Sequence, residues 1–231
     1  MLMESALLNQ EDFYKGQYDN ILNTGLVGLM SNFMHRFIEM GIDRSQSFRT
    51  VLEVGAGNGQ HSRFVRHGYE RYIESDIRFV ERYKESKILN PKISSIQLDA
   101  QDLSNFEDAS VDRLIATCVL VHLPDPESAL LEWQRVVKPG GAISIYVPNE
   151  PGLLLRLFQK LTTAAKSKKN GFDYKSIHYR EHRNMWIFCN LLIREIFSES
   201  HIKKRSIPFA WLPWNLRLFD VYQITTTKDS K

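Results

Sequence analysis

The stretch VLEVGAGNGQHS, residues 51–62, is a short β-branched apolar run that closes on three glycines at alternate positions, Gly55, Gly57 and Gly59. A run of this length ending in glycine reads as a buried strand, and glycines so spaced let the chain turn sharply and bring its backbone close to a ligand with no Cβ in the way. The residues after it, NGQHSRFVRHG, resume with helical character, so the stretch predicts a strand, a tight turn and a helix. Two common nucleotide loops do not fit. The dinucleotide pattern G-x-G-x-x-G needs a glycine where Gln60 stands counted from Gly55, or Ser62 counted from Gly57. No G-K-[ST] follows, which removes the P-loop. Glu53, just ahead of the glycines, is ill placed for a phosphate and well suited to an amino group.

Outward from this loop the same rhythm repeats. ERYIESD reads as a strand, IRFVERYKESK as a helix, ISSIQLD and SVDRLIATCVL as strands, DPESALLEWQRVVKPGG as a helix and AISIYVPN as a strand. Alternation of this kind implies βαβ units and a parallel sheet covered on both faces. Pro139 stops the helix and Gly140 and Gly141 turn the chain into the next strand. Asp76 ends the second strand, 17 residues after Gly59, and Asp99 ends the third. An acid in the first of these places can take a ribose diol. Acids at three successive strand ends, with a glycine turn and no phosphate-binding feature, describe a ligand made of adenine, ribose and a free amino acid tail. S-adenosylmethionine has those parts.

Taken in order, VLEVGAGNGQHSRFV, ESDI, QLDAQDL and SVDRLIATCVLVHLPDPESALLEWQRVVKPGGAISIYVP resemble the class I S-adenosylmethionine-dependent methyltransferases, especially their small-molecule group, over about residues 50–150. The resemblance implies an α/β, Rossmann-like, seven-stranded and mostly parallel sheet with an antiparallel last strand and helices on both faces. It implies S-adenosylmethionine as cofactor. Glu53, Gly55, Gly57, Asn58 and Gly59 would hold its methionine portion, Asp76 the ribose hydroxyls, and Ile77 would pack on the adenine. Asp99, Ala100 and Gln101 would meet the ring edge and exocyclic amine, and Cys118 would lie near the methionine part.

Around that core the chain divides into a helical lid at 1–47, a cofactor-binding core at 48–150, an acceptor-covering insertion at 151–183, and a C-terminal helix with an antiparallel strand pair at 184–231. In the first part, apolar residues at helical spacing predict two or three short helices broken at Gly25, Gly28 and Gly41, and Tyr14 and Tyr18 read equally as a lid over the cofactor or as a packed helix face. Methyl transfer to oxygen needs a base. The resemblance sets His122, in CVLVHLPDP, at the strand end that faces the methyl group. SIHYREHRNM, residues 176–185, adds His178, Glu181 and His182 where this family builds its acceptor pocket. The spacing also fits a zinc-protease pattern. A zinc site wants a third ligand, and among the 49 residues after His182 the glutamates, Glu195 and Glu199, lie inside what reads as a packing helix. The cluster is therefore expected to face the acceptor, with no metal.

The bulk properties agree with one α/β domain. A chain of 231 residues, 43% hydrophobic and 25% charged, can bury a full core, and its two cysteines, Cys118 and Cys189, lack the spacing of a disulfide framework or a four-cysteine zinc site. A net charge of +3 is low for a nucleic-acid binder. MLMESALLNQED has no secretory pattern and no apolar run is long enough to span a bilayer, so a cytoplasmic protein is expected, with peripheral contact at the inner membrane surface left open. Between Pro151 and Phe172 there is no acid, but there are Arg156, Lys160, Lys166, Lys168 and Lys169. That run reads as a solvated face, as an attractant for a phosphorylated or sugar-nucleotide acceptor, or as a membrane contact. HYREHRN and IPFAWLPWNLRLFDVY faintly resemble enzymes of bacterial surface-polysaccharide or glycolipid modification. A small polar acceptor with a sugar or glycolipid hydroxyl is therefore expected. The alternatives are a quinone or natural product at the membrane surface, or a non-catalytic cofactor-binding regulator.

Overall fold

The computed structural model describes residues 24–78, 90–169 and 173–227. Seven strands form one sheet: β1 (Ser47–Val54), β2 (Gly68–Asp76), β3 (Ile93–Gln97), β4 (Val111–Thr117), β5 (Val137–Pro148), β6 (His201–Ile207) and β7 (Phe219–Thr225). Their order is β3-β2-β1-β4-β5-β7-β6. Strands β1 to β5 pair in parallel, and β7 runs antiparallel between β5 and β6. The reversal at β1, where the chain leaves for β2 on one side and β4 on the other, opens a crevice at the strands' carboxyl ends. In sheets of this type ligands bind there.

Each layer follows from local sequence. The last five residues of β1 are buried, as expected of a strand covered on both faces. Helix α2 (Pro126–Val136) starts on Asp125, whose carboxylate accepts from Ser128 N at 3.0 Å, with Pro126 in the first turn where its missing N–H costs nothing. It buries Ala129, Leu130, Trp133 and Val136, a helical stripe, on the face formed by Leu52, Val54, Leu114 and Ile143. Helix α6 (Trp186–Ile196) adds Trp186, Cys189, Leu192 and Ile193 to the same core.

On the opposite face α1 (Gly25–Glu39) sets Phe37 and Ile38 against Phe219 and Val221. It also carries a polar tie. Arg113, on β4 and fully buried, donates to Glu39 through Nη2 at 2.5 Å and Nη1 at 3.1 Å, and contacts His67. His61 meets Glu39 at 3.0 Å and His35 at 2.9 Å. Burial pushes the Glu39 carboxyl up, but the Arg113 guanidinium and His61 outweigh it and hold it at about 2.

Three expectations change. The segment after the glycine loop is not a full helix but one 3₁₀ turn, His61–Phe64, before β2. Only three residues separate that turn from Gly68, and His61 is drawn into the buried contact with Glu39, so no longer helix can form. Gly28 is no break: it lies inside α1, with its N–H on Thr24 O at 3.2 Å. The described part of the expected lid packs into the core rather than standing apart from it. Tyr14 and Tyr18, and most of the helix expected at IRFVERYKESK, lie outside the described residues.

Candidate functional site

The glycine loop carries three positive φ angles, +63° at Gly55, +58° at Gly57 and +69° at Gly59, each costly for any residue with a Cβ. Their surroundings differ. A Cβ on Gly55 would come 2.4 Å from Val119 Cγ2, whereas one on Gly57 would meet nothing within 4 Å among the described residues. Gly55 is therefore a packing glycine, and Gly57 stands beside open space. Asp76 braces the loop, its Oδ2 accepting from Gly57 N at 2.8 Å and its Oδ1 from Arg78 N at 2.9 Å. Next to it Ile77 is exposed, an apolar side chain left uncovered at a strand end. Asp99 accepts from Gln101 N at 2.9 Å, Gln101 Oε1 accepts from Asp125 N at 2.7 Å, and the Ala100 carbonyl accepts from Trp133 Nε1 at 2.9 Å. These contacts fix the edge of the crevice beyond β3. Asn58, in the same loop, is partly exposed.

Glu53 departs from its expected place. Its carboxyl is fully buried on the α1 side of the sheet, where strand alternation puts it with Val51 and Tyr72, and Oε2 accepts from Tyr72 OH at 2.7 Å. Oε1 has no hydrogen-bond partner among the described residues. Burial pushes its pKa well above the usual carboxylate value, and the side chain lies beneath the loop rather than on its open side.

At the far side of the crevice four expected residues meet. His122, after β4, donates from Nδ1 to the Glu181 carbonyl at 3.1 Å, and the Glu181 carboxylate lies 3.7 Å from the same nitrogen. The His122 and His182 rings stand edge to face, centroids 4.5 Å apart, and those of His178 and His182 lie 4.0 Å apart. The cluster sits one step from the glycines, since Cys118, at an unusual φ of +61°, precedes the Val119 that packs on Gly55. Burial, then the nearby Glu150, pushes the Cys118 thiol up, so it is no thiolate.

Glu150 organises the histidines, and sequence reasoning missed it. It lies two residues beyond the end of β5. His182 Nδ1 donates to its Oε2 at 2.8 Å and His178 Nε2 to its Oε1 at 3.0 Å, with Gln159 Nε2 adding a third donor at 3.2 Å. Burial pushes this carboxyl up, yet the two histidine hydrogen bonds outweigh it and bring it down to about 2. A carboxylate can only accept, so both imidazoles present N–H to it, and His178 takes Tyr174 OH on its other nitrogen at 3.2 Å. Nε2 of His182 has no hydrogen-bond partner among the described residues. Burial and the neighbouring His182 hold His122 down at about 3, so His122 is neutral.

The insertion that carries these groups is three helices, α3 (Leu153–Leu161), α4 (Thr163–Lys169) and α5 (Tyr174–Glu181), and His182 follows the last. Asn184 pins it, donating from Nδ2 to the carbonyls of Leu120 at 2.9 Å and Leu123 at 2.7 Å. No local pattern in the sequence marks Asn184 or Glu150 for these roles. The third ligand missing from the zinc reading also arrives here from earlier in the chain. Glu150, His178 and His182 bring ligand atoms within 4.8 Å of one another, as do Cys118, His122 and His182. In the first group those atoms are joined by the hydrogen bonds from His178 and His182 to Glu150.

A doubly covered sheet with one antiparallel intruder and an open glycine loop at its switch point give the Rossmann-like fold of methyltransferase structural neighbours. In the chain, residues 52–145 match the family described as a methyltransferase domain. Among curated proteins it is similar to the tRNA 5-carboxymethoxyuridine methyltransferase of Escherichia coli, 29% identical over 46% of this chain and 42% of that one. It is also similar to a thiol S-methyltransferase of Rattus norvegicus, 26% identical over 71% of this chain and 66% of the other. The chain thus spans less than half the length of the first of these relatives and about two thirds of the second. Among solved structures, an O-methyltransferase family protein from Burkholderia thailandensis superposes with a TM-score of 0.64, at 16% identity, over 96% of this chain and 64% of that one. The [4+2]-cyclase SpnF superposes at 0.61, with 12% identity, over 90% and 84%. A cyclase and a methyltransferase sharing one fold show that the fold alone does not name the reaction.

The family and fold imply S-adenosylmethionine as cofactor, and the crevice fits it. Open space beside Gly57, an apolar Ile77 left uncovered and an acid at the end of β2 are what a ribose and an adenine require.

Proposed function

We propose that the protein transfers the methyl group of S-adenosylmethionine to a hydroxyl oxygen of a small polar acceptor, a sugar or, at the surface of a membrane, a glycolipid. The observation that carries this reading is the Glu150–His182 pair: an ionised carboxylate at 2.8 Å from one imidazole nitrogen, with the other nitrogen unpartnered among the described residues.

Gly57, Asn58 and Gly59 bend the backbone around the amino acid portion of the cofactor, Asp76 takes the ribose hydroxyls, Ile77 packs on the adenine, and Asp99, Ala100 and Gln101 border its ring edge. Glu53 serves from beneath the loop, its carboxyl bonded to Tyr72. When bound, the cofactor supplies an electrophilic methyl group and a thioether leaving group. His182 Nε2 takes the acceptor's hydroxyl proton as the oxygen bonds the methyl carbon and the carbon–sulfur electron pair stays on sulfur. Glu150 keeps His182 in the tautomer that can accept, and stabilises the imidazolium that forms. His122, edge-on to His182, and His178 with Glu181 shape the acceptor side.

Two measurements test this. Calorimetry with S-adenosylmethionine and with its demethylated product reads the cofactor site, and absence of binding would remove the reading altogether. Labelled methyl transfer over a panel of sugars, glycolipids, quinones and thiols then reads the acceptor: binding without product from any of them would make the protein a regulator, and product from thiols alone would reassign the acceptor atom.

A further inference from the structure

Helix α3 has two unlike faces. Leu155 points inward and is buried, and Gln159 reaches the catalytic carboxylate of Glu150. Outward, Leu153, Leu157 and Leu161 are 63%, 51% and 68% exposed. Spaced four apart, they form one stripe about 12 Å long, and Arg156 and Lys160, both exposed, flank it along one margin. A helix that merely faced water would put polar residues there. The sequence from Pro151 to Phe172 holds no acid. Next to the start of α3 lies the β6–β7 connection: Asn149 Nδ2 donates to Trp214 O at 3.1 Å, and a Cβ on Gly152 would lie 3.3 Å from Asn215 O. That connection bears Phe209 and Trp211, stacked with centroids 5.7 Å apart, Trp211 being 77% exposed.

We propose that this face docks on an anionic lipid bilayer, with the α3 leucines in the acyl boundary and Arg156 and Lys160 at the lipid phosphates, and that the acceptor is accordingly a lipid-linked molecule. The proposal rests on the methyl-transfer reading for the acceptor, but not for the docking. Three occupants compete for such a face, and charge separates them. Cations edging an apolar stripe, with no acid among them, match a surface that is apolar within and anionic at its rim. A second copy of the chain would bring the same cations against each other across a two-fold interface. A free phosphorylated acceptor would engage the cations and leave the three leucines in water. Exposed Trp and Phe on the connection that meets the start of α3 suit the interfacial level of a bilayer, where aromatic rings concentrate. Because Gln159 on the inner face holds Glu150, the docking helix and the histidine cluster move as one body.

The test uses the full chain with phosphatidylcholine vesicles, with and without phosphatidylglycerol. Expected are co-sedimentation with the anionic vesicles, weakening as salt is raised, and a blue shift of tryptophan emission that W211F diminishes. R156Q/K160Q should lower partitioning about twenty-five-fold, since each cation near such a surface contributes a factor of about five. L157E/L161E should lower it at least tenfold, with the circular dichroism and cofactor affinity of both double variants unchanged. No partitioning, partitioning indifferent to both double variants, or a dimer in light scattering that L157E/L161E dissociates would overturn the proposal. Docking without methyl transfer to any acceptor would uphold the surface and refute the methyl-transfer reading. Transfer to water-soluble sugars by a protein that ignores vesicles would do the reverse.

Discussion

Replacing Glu150 by Gln keeps the volume of the side chain and removes its charge. In the native protein Oε1 and Oε2 each accept an imidazole N–H, from His178 at 3.0 Å and His182 at 2.8 Å. A glutamine offers one acceptor oxygen and must point an NH₂ at the other donor, so one contact is lost and the survivor loses its charge. Two routes give the size of the effect. Lowering the carboxyl from 4.5 to about 2 corresponds to roughly 3 kcal/mol of stabilisation. Charge-assisted hydrogen bonds are worth roughly 1.5–3 kcal/mol each, of which glutamine keeps part. A loss of about 2 kcal/mol is expected, which for a chain of this size lowers Tm by roughly 4–8 °C. The pH dependence has a definite sign. A depressed carboxyl stabilises fully above 4.5 and loses that contribution as the pH falls through about 2, so the gap between the native protein and E150Q should close on acidification. In turnover the variant should fall roughly 10²–10³-fold, the usual contribution of a positioned base, with cofactor Kd unchanged. Thermal denaturation followed by circular dichroism across pH, with labelled methyl transfer at neutral pH, reads both. A less stable E150Q with native turnover would make the cluster a structural clamp and refute its role with the acceptor proton. An E150Q as stable as the native protein would refute the electrostatics.

The glycines should separate by mechanism: G57A, with open space for its Cβ, should fold with about 1–2 kcal/mol of backbone strain and bind cofactor at least tenfold more weakly by calorimetry. G55A, whose Cβ meets Val119 at 2.4 Å, should fail to give a sharp thermal transition. Asp76→Ala should weaken cofactor binding, whereas His122→Ala should cut turnover and leave that affinity nearly intact; native rates in the histidine variant would remove His122 from the mechanism. Neutral burial of His35 and His122, both held at about 3, means that below 6.5 the unfolded chain takes protons the folded one refuses. Stability measured by urea titration should therefore begin to fall below pH 6.5, and His122→Gln should flatten that slope.

The cofactor half was legible because its chemistry is local. Gly55, Gly57 and Gly59 lie in one turn, and Asp76 and Asp99 mark strand ends whose order the βα rhythm already fixes. Pairing of β7 between β5 and β6 came from the resemblance, since antiparallel insertion leaves no periodic trace in the strand itself. The acceptor side was half legible. His178 and His182 announced themselves by spacing, but Glu150, 28 and 32 residues earlier, is an ordinary acid before a proline until α3 to α5 fold back over it. Glu53 misled because an acid ahead of glycines suggests a ligand, while the strand's alternation turns it under the sheet toward Tyr72. The helix expected after the loop failed for a similar reason: the pull of Glu39 on His61 is tertiary.

The Arg113–Glu39 pair joins a central strand to the helix that precedes the sheet, and it bears on how the chain can be divided. A shortened chain starting at Ser47 would keep every strand and the whole glycine loop, yet leave a guanidinium sealed in the interior with its anion deleted. Such an orphaned charge costs roughly 3–5 kcal/mol, a large share of what holds a domain of this size together. The helix before the sheet is thus part of the folding unit, tied to its central strand by a charge pair that neither partner can leave without stranding the other.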